Sequence, residues 1–151
     1  MIPMAPDFKV NVIVVLLAAL AVVITVGMHY EGLNWLARRL TKQGQARRRR
    51  VLYGVIGVLL LHIVEIWTFG VAYWVCLALP NAGGVIGARD PGLLDSVYLS
   101  AMTFSTVGFG DVSPHGAIRF IAGTEAVLGL FMIAWSATFT YYEMAQNWKE
   151  R

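Results

Sequence analysis

Hydrophobic positions in this chain run in long blocks, without the strict alternation of a half-buried strand. The first block extends from Val10 to about Met28, with no charge between Lys9 and Glu31. The second follows Arg50 and continues to Leu79, broken by His62 and Glu65. The third runs from about Ala117 to Tyr142 and contains Arg119 and Glu125. About 20 mostly apolar residues cover the ~30 Å of a bilayer's hydrocarbon. Each block therefore predicts a spanning helix, at about 10–28, 51–79 and 117–145. The connection 80–116 reads differently. Asn81 to Asp90 is rich in glycine, and LLDSVYLSAMTF then predicts a short helix over about 93–105, too short to span.

Composition narrows the class. Of 151 residues, 58% are AVILMFWYC and 14% are charged, where soluble domains carry about 25% charged residues. A domain this small cannot bury so much apolar side chain. Soluble enzymes, disordered chains and nucleic-acid-binding modules are thereby excluded, and an all-α membrane protein is expected. The single cysteine, Cys76, lies in an apolar run and reads as a small buried hydrophobe. It has no intrachain disulfide partner, and the spacing of Cys and His offers no metal framework.

Charge sets the orientation. Arg38, Arg39, Lys42, Arg47, Arg48, Arg49 and Arg50 account for seven of the 12 Lys and Arg residues, all between the first two blocks. The positive-inside rule places that connection in the cytoplasm, with the N-terminus outside and the C-terminus inside. The chain thus divides into residues 1–50, an extra helix with a basic cytoplasmic loop, and residues 51–151. The first block is too long for a signal-peptide core and carries its basic flank afterwards, so an N-out anchor is expected. Arg47, Arg48, Arg49 and Arg50 are candidates for anionic lipid headgroups. No nucleic-acid partner is needed to explain them.

The chemistry concentrates in Thr106-Val107-Gly108-Phe109-Gly110-Asp111, directly after the short helix. Alternating glycines reach backbone angles closed to other residues, so successive carbonyls can face one way. Irregular backbone at membrane depth is tolerated only where protein or a water-filled path satisfies it. A ring of such carbonyls would replace the hydration shell of a cation.

Span, short helix, TVGFGD and span together resemble the pore module of the potassium-channel family, over roughly residues 51–145. The resemblance implies three transmembrane helices plus a re-entrant pore helix and selectivity-filter loop, assembled as a homotetramer because each chain supplies one filter segment. It implies K+ as permeating ion, bound by the carbonyls of Thr106, Val107, Gly108 and Phe109 and by the Thr106 hydroxyl. Gly110 would shape the outer mouth, and Asp111 would concentrate cations there. No cofactor and no enzymatic activity are implied; the location expected is the cell membrane. Phe109 stands where Tyr is commoner in the family, Leu99 occupies the facing position, and Met102 stands where some relatives carry a carboxylate. These departures imply a filter braced by packing more than by polar contacts, and prone to slow closure.

Ionisable residues within spans are costly and functional by default. Glu125 lies about 9 Å beyond Arg119 along a helix and is expected to support the filter, accepting bonds from Thr103, Ser105 or backbone amides. His62 and Glu65 share a helix face. Their spacing admits metal ligation, but no second pair accompanies them, so helix pairing or pH sensing is expected. In the third span Gly129 marks either a hinge or close helix packing. Leu130, Ile133, Ala137 and Tyr141 follow at helical spacing as cavity-lining candidates.

Other functions were weighed on residues. Gly108-Phe109-Gly110-Asp111 also fits the G-x-G-D of intramembrane aspartyl proteases, but Asp7, Asp90 and Asp95 lie outside the spans, and that chemistry needs a second intramembrane carboxylate. A non-conducting scaffold, or a regulatory subunit of a cation transport system, would have no use for the complete filter. With nine residues after Tyr142, no fused cytoplasmic ligand-binding domain is expected.

Overall fold

The computed structural model describes residues 8–42 and 47–149, the side chains of 41, 42, 47, 48 and 147–149 excepted. Four helices dominate: α1 (Phe8–Lys42), α2 (Arg47–Leu77), α3 (Leu93–Phe104) and α4 (Arg119–Lys149). Three helical stretches, Phe8–Leu40, Arg49–Leu77 and Gly116–Gln146, are long and apolar enough to cross a membrane. This is an integral membrane protein of the all-α class.

Helix α1 outruns its expected span. Its 35 residues reach about 52 Å at 1.5 Å per residue, well beyond the hydrocarbon. The expected basic loop is correspondingly short: Arg38 and Arg39 ride the end of α1, and Arg49 and Arg50 open α2. Lys and Arg are good helix formers, so charge density alone does not end a helix. Residues 43–46, and the side chains of Lys42, Arg47 and Arg48, lie outside the described residues. Of the lipid candidates, Arg49 is exposed, whereas Arg50 turns to Glu143 near the end of α4, with its Nη2 3.1 Å from the carboxylate. The start of α2 and the end of α4 are thus on one side of the molecule.

The glycine-rich connection is more ordered than its composition suggests. Strand β1 (Gly84–Ile86) pairs antiparallel with β2 (Ser113–His115), Val85 opposite Pro114. The ribbon joins the segment before α3 to the segment after TVGFGD and closes both into one loop. A side chain at Gly87 would strike the Asp111 carbonyl, so glycine allows the two limbs to touch. Helix α3 starts with the Gly92 N–H donating to Asp95 Oδ2 at 2.8 Å, which satisfies an orphan donor of the first turn.

Two apolar clusters hold the helices together. One gathers Val14 and Ala18 of α1, Phe69, Tyr73 and Cys76 of α2, Leu99 of α3 and Ile121 of α4. Cys76 is buried there as a free thiol, in keeping with its apolar surroundings in sequence. The other gathers Leu33, Leu36 and Leu40 of α1 with Val58 of α2, against Trp135 and Phe139 of α4. Buried polar residues that belong to neither cluster include Thr25, His29, Glu65, Ser100, Glu125 and Ser136.

Candidate functional site

The TVGFGD segment emerges from the C-terminal end of α3. Two of its N–H groups fold back onto that helix: Thr106 donates to the Thr103 carbonyl at 3.0 Å and Gly108 to the Met102 carbonyl at 3.3 Å. The backbone φ is +57° at Thr106, +49° at Gly108 and +83° at Gly110, and is not positive at Val107 or Phe109. Alternation of backbone hand turns successive peptide groups to one side, the arrangement by which a short segment aims several dipoles at one ion. Open space surrounds both glycines where a Cβ would stand, so their requirement is conformational. Thr106 adopts the left-handed region without a glycine's freedom, which for a β-branched residue is a strained conformation. Residues 106–111 are all exposed on the single chain.

Asp111 is held by a bond that sequence reasoning missed. The Tyr98 hydroxyl donates to Asp111 Oδ2 at 2.8 Å, and this bond to a carboxylate raises the phenol's pKa above its ordinary value. The segment therefore has a polar brace, one turn of α3 before Met102, where bracing mainly by packing was expected. The expected facing of Leu99 and Phe109 is not found within the chain. Leu99 is 2% exposed in the core, while Phe109 stands 71% exposed.

Glu125 sits behind α3, fully buried, but with partners other than those expected. The Tyr73 hydroxyl of α2 donates to its Oε2 at 2.7 Å, and Ser100 Oγ of α3 lies 2.5 Å from its Oε1. Thr103 and Ser105 instead donate to carbonyls of their own helix, Leu99 and Ala101. Those two hydroxyls satisfy the helix locally, a common competition for Ser and Thr. Ser100 Oγ also lies 2.8 Å from the Ile66 carbonyl. One serine proton cannot serve both acceptors at once; a proton on Glu125 would let Ser100 donate to Ile66 and accept from Glu125.

Gly129 settles against α3. Helix α4 runs unbroken through it, and an added Cβ would collide with the backbone of Phe104. Close packing accounts for this glycine. Of the cavity-lining candidates below it, Leu130 is 61%, Ile133 40% and Tyr141 66% exposed, and Ala137 is exposed as well. They form a face that their own chain does not cover.

His62 and Glu65 do share a face of α2, with Nδ1 2.8 Å from Oε2. A third member arrives from α1: His29 Nδ1 lies 2.7 Å from Glu65 Oε1. His29 and Glu65 are completely buried. The His29 ring lies tilted against Trp135, centroids 5.1 Å apart, and the His62 ring tilted against Phe104 at 5.6 Å. His29 is thus a partner from α1 that the sequence did not name, and its bond to Glu65 pairs α1 with α2. His29 was invisible because its partner lies 36 residues away on another helix; a histidine near the end of an uncharged span was the only sequence signal.

Comparison with known proteins places this arrangement. Residues 61–145, more than half of the chain, match a family model described as "Ion channel". The chain belongs to the ion channel family. The matched stretch takes in most of α2, all of α3, TVGFGD and nearly all of α4, so the geometry above lies within the ion-channel region. Helix α1 and His29 fall outside it. The chain is 45% identical over 64 residues to Protein LctB of Geobacillus stearothermophilus, covering 42% of this chain and 48% of that protein. With Protein LctB of Bacillus caldotenax it shares 49% identity over 51 residues, 34% of this chain and 38% of the relative. The alignments thus span less than half the length of these relatives. No solved structure matches the chain.

Proposed function

We propose that this ion channel is a K+-selective pore, formed by four copies of the chain and conducting passively. The observation that carries the reading is the alternating positive φ at Thr106, Gly108 and Gly110, in an exposed strip at the end of a short helix packed between two spans. On this reading α3 is a re-entrant pore helix. Carbonyls of Thr106, Val107, Gly108 and Phe109, with the Thr106 hydroxyl, replace the hydration shell of K+ in four-fold rings. Asp111, anchored by Tyr98, draws cations to the outer mouth, and the C-terminal end of α3 favours a cation below the filter.

Exposure supports the assembly. Phe109 and the face bearing Leu130, Ile133 and Tyr141 are apolar and uncovered, which suits contact with neighbouring copies or lining of a shared cavity. Glu125 ties α2 to α3 through Tyr73 and Ser100 from its place on α4, and so holds the pore helix in position. The basic ends of α1 and α2 are read as cytoplasmic, in the cell membrane, with Arg49 toward anionic lipid.

The test is flux from liposomes holding the purified full chain under opposed K+ and Na+ gradients. K+ flux at least tenfold above Na+ flux, abolished by Gly108→Ala, is the expected result. Absence of flux from protein that runs as a tetramer would instead establish a non-conducting scaffold or transport subunit. Equal K+ and Na+ flux would overturn selectivity while leaving the pore.

A further inference from the structure

We propose that His29, His62 and Glu65 form a binding site for one divalent transition-metal ion per chain, of the Zn2+ class, clamping α1 onto α2. One ligand atom from each of the three lies within 4.8 Å of the other two. Two imidazoles and one carboxylate make a set that Zn2+ uses with a fourth position left to water. At metal–ligand distances of about 2.0–2.2 Å, tetrahedral donors stand roughly 3.4 Å apart. Reaching that spacing closes the widest of these gaps by at most about 1.4 Å.

The surroundings match what a metal needs beyond its ligands. Without an ion, each Nδ1–H donates to one oxygen of Glu65, at 2.7 Å for His29 and 2.8 Å for His62. An ion displaces those two protons and takes the same lone pairs. His29 then carries its proton on Nε2, and that nitrogen faces Ser136 Oγ at 3.5 Å. A hydroxyl both donates and accepts, so Ser136 satisfies His29 in either tautomer, and a ligand histidine commonly donates its second N–H in this way. Glu65 offsets half the ion's charge. The rings of Trp135 and Phe104 flank the two histidines, while the His62 side chain, 14% exposed, leaves an approach. One turn from His29 on the same face of α1, Thr25 Oγ1 is buried without a hydrogen-bond partner, a polar atom free for an ordered water beside the site.

The site joins elements of different standing. Helix α1 lies outside the region that matches the ion-channel family, and α2 lies mostly within it. An ion shared by His29 and His62 is a cross-link between them, next to the Phe104 ring that ends the pore helix. This inference rests on none of the residues assigned to K+.

The test uses the untagged full chain in lipid nanodiscs, stripped with a chelator and titrated with Co2+ as an optical substitute for Zn2+. Expected are one Co2+ per chain, ligand-field absorption of tetrahedral intensity, and displacement by Zn2+. The chain has 5 tryptophans, and Co2+ should quench Trp135 most, so Trp135→Phe should remove the larger part of the quenching. His62→Gln, which leaves the His29–Glu65 bond intact, should weaken binding at least 100-fold, and Ser136→Ala about tenfold. His115→Gln, at the exposed remaining histidine, should change nothing. Binding that is equal in wild type and His62→Gln, octahedral spectra, or quenching indifferent to Trp135→Phe would each overturn the site. A His62→Gln protein that does not fold passes the decision to Ser136→Ala and Trp135→Phe, which keep all three ligands.

Discussion

Glu65 and Glu125 are the two wholly buried carboxyl groups of the membrane-spanning helices, and their settings differ in kind. Glu65 faces two ring nitrogens, one from its own helix and one from α1. Glu125 faces hydroxyls, of Tyr73 on α2 and Ser100 on α3. A carboxylate between two N–H donors is satisfied as an anion and needs no proton of its own. A carboxyl group between a donating phenol and a serine already within reach of a carbonyl is satisfied when it carries one. The same residue type thus serves as an electrostatic hub in one place and as a hydrogen-bonded strut in the other. Burial was common to both and did not separate them; donor identity did.

Complete removal should show the largest effect. Glu65→Ala leaves two imidazoles, His29 buried and His62 partly so, without their shared acceptor and should cost about 3–5 kcal/mol, from two bonds to a charged acceptor at about 1.5–3 kcal/mol each. Glu125→Ala should cost less, about 1–3 kcal/mol for orphaned neutral donors. Thermal unfolding in detergent, followed by far-UV circular dichroism, measures both; an inverted order would erase the distinction drawn here.

The amide variants sharpen it. A carboxamide offers one donor and one acceptor. Glu125→Gln reproduces the proton pattern inferred for Glu125, donating to Ser100 and accepting from Tyr73, and should stay within about 1 kcal/mol of wild type. Glu65→Gln sets an NH2 against a ring N–H and should cost about 1–3 kcal/mol unless a histidine changes tautomer. Equal costs for the two would show that donor count does not govern these sites.

Gly129→Ala probes the structure that links the regions. Its Cβ must displace the Phe104 backbone, and the Phe104 ring lies against His62. A loss of about 1–3 kcal/mol is expected from overpacking, accompanied by a change in K+ flux. Full retention of both would mean that α3 has room to move.

The smallest effect is the Tyr98–Asp111 bond, at the exposed end of TVGFGD. Because the bond raises the Tyr98 pKa, it is fully present below the ordinary phenol pKa of about 10 and is lost as pH rises through the higher folded value. Tyr98→Phe should leave unfolding unchanged while accelerating the decline of K+ current during maintained recording at neutral pH. An identical time course would remove Tyr98 as a brace for the filter.

Much of this was legible in the residues because it depends on local order. Three apolar blocks dictate three spanning helices, since an unpaired backbone in hydrocarbon leaves helix as the economical solution. The short apolar run before TVGFGD dictates a helix that cannot cross. Alternating Gly108 and Gly110 dictate where the backbone reverses hand. Glu65 and Glu125 announced themselves as exceptions in apolar runs, yet neither named its partners. Thr103 and Ser105 are nearer in sequence to TVGFGD than Ser100, but their hydroxyls are consumed by their own helix. The stretch 81–90 reads as a glycine-rich loop, whereas three of its residues pair with a strand beyond TVGFGD.

What the sequence determined by itself is the class, the spans and where the backbone of TVGFGD reverses hand, because hydrophobic length and backbone freedom are properties of neighbouring residues. What only the tertiary structure decided is which buried polar groups meet. His29 reaches Glu65 across 36 residues, Tyr73 reaches Glu125 across 52, and Arg50 reaches Glu143 across 93. Each meeting depends on how the helices pack, and packing is set by the shapes of entire faces. No spacing along the chain encodes it.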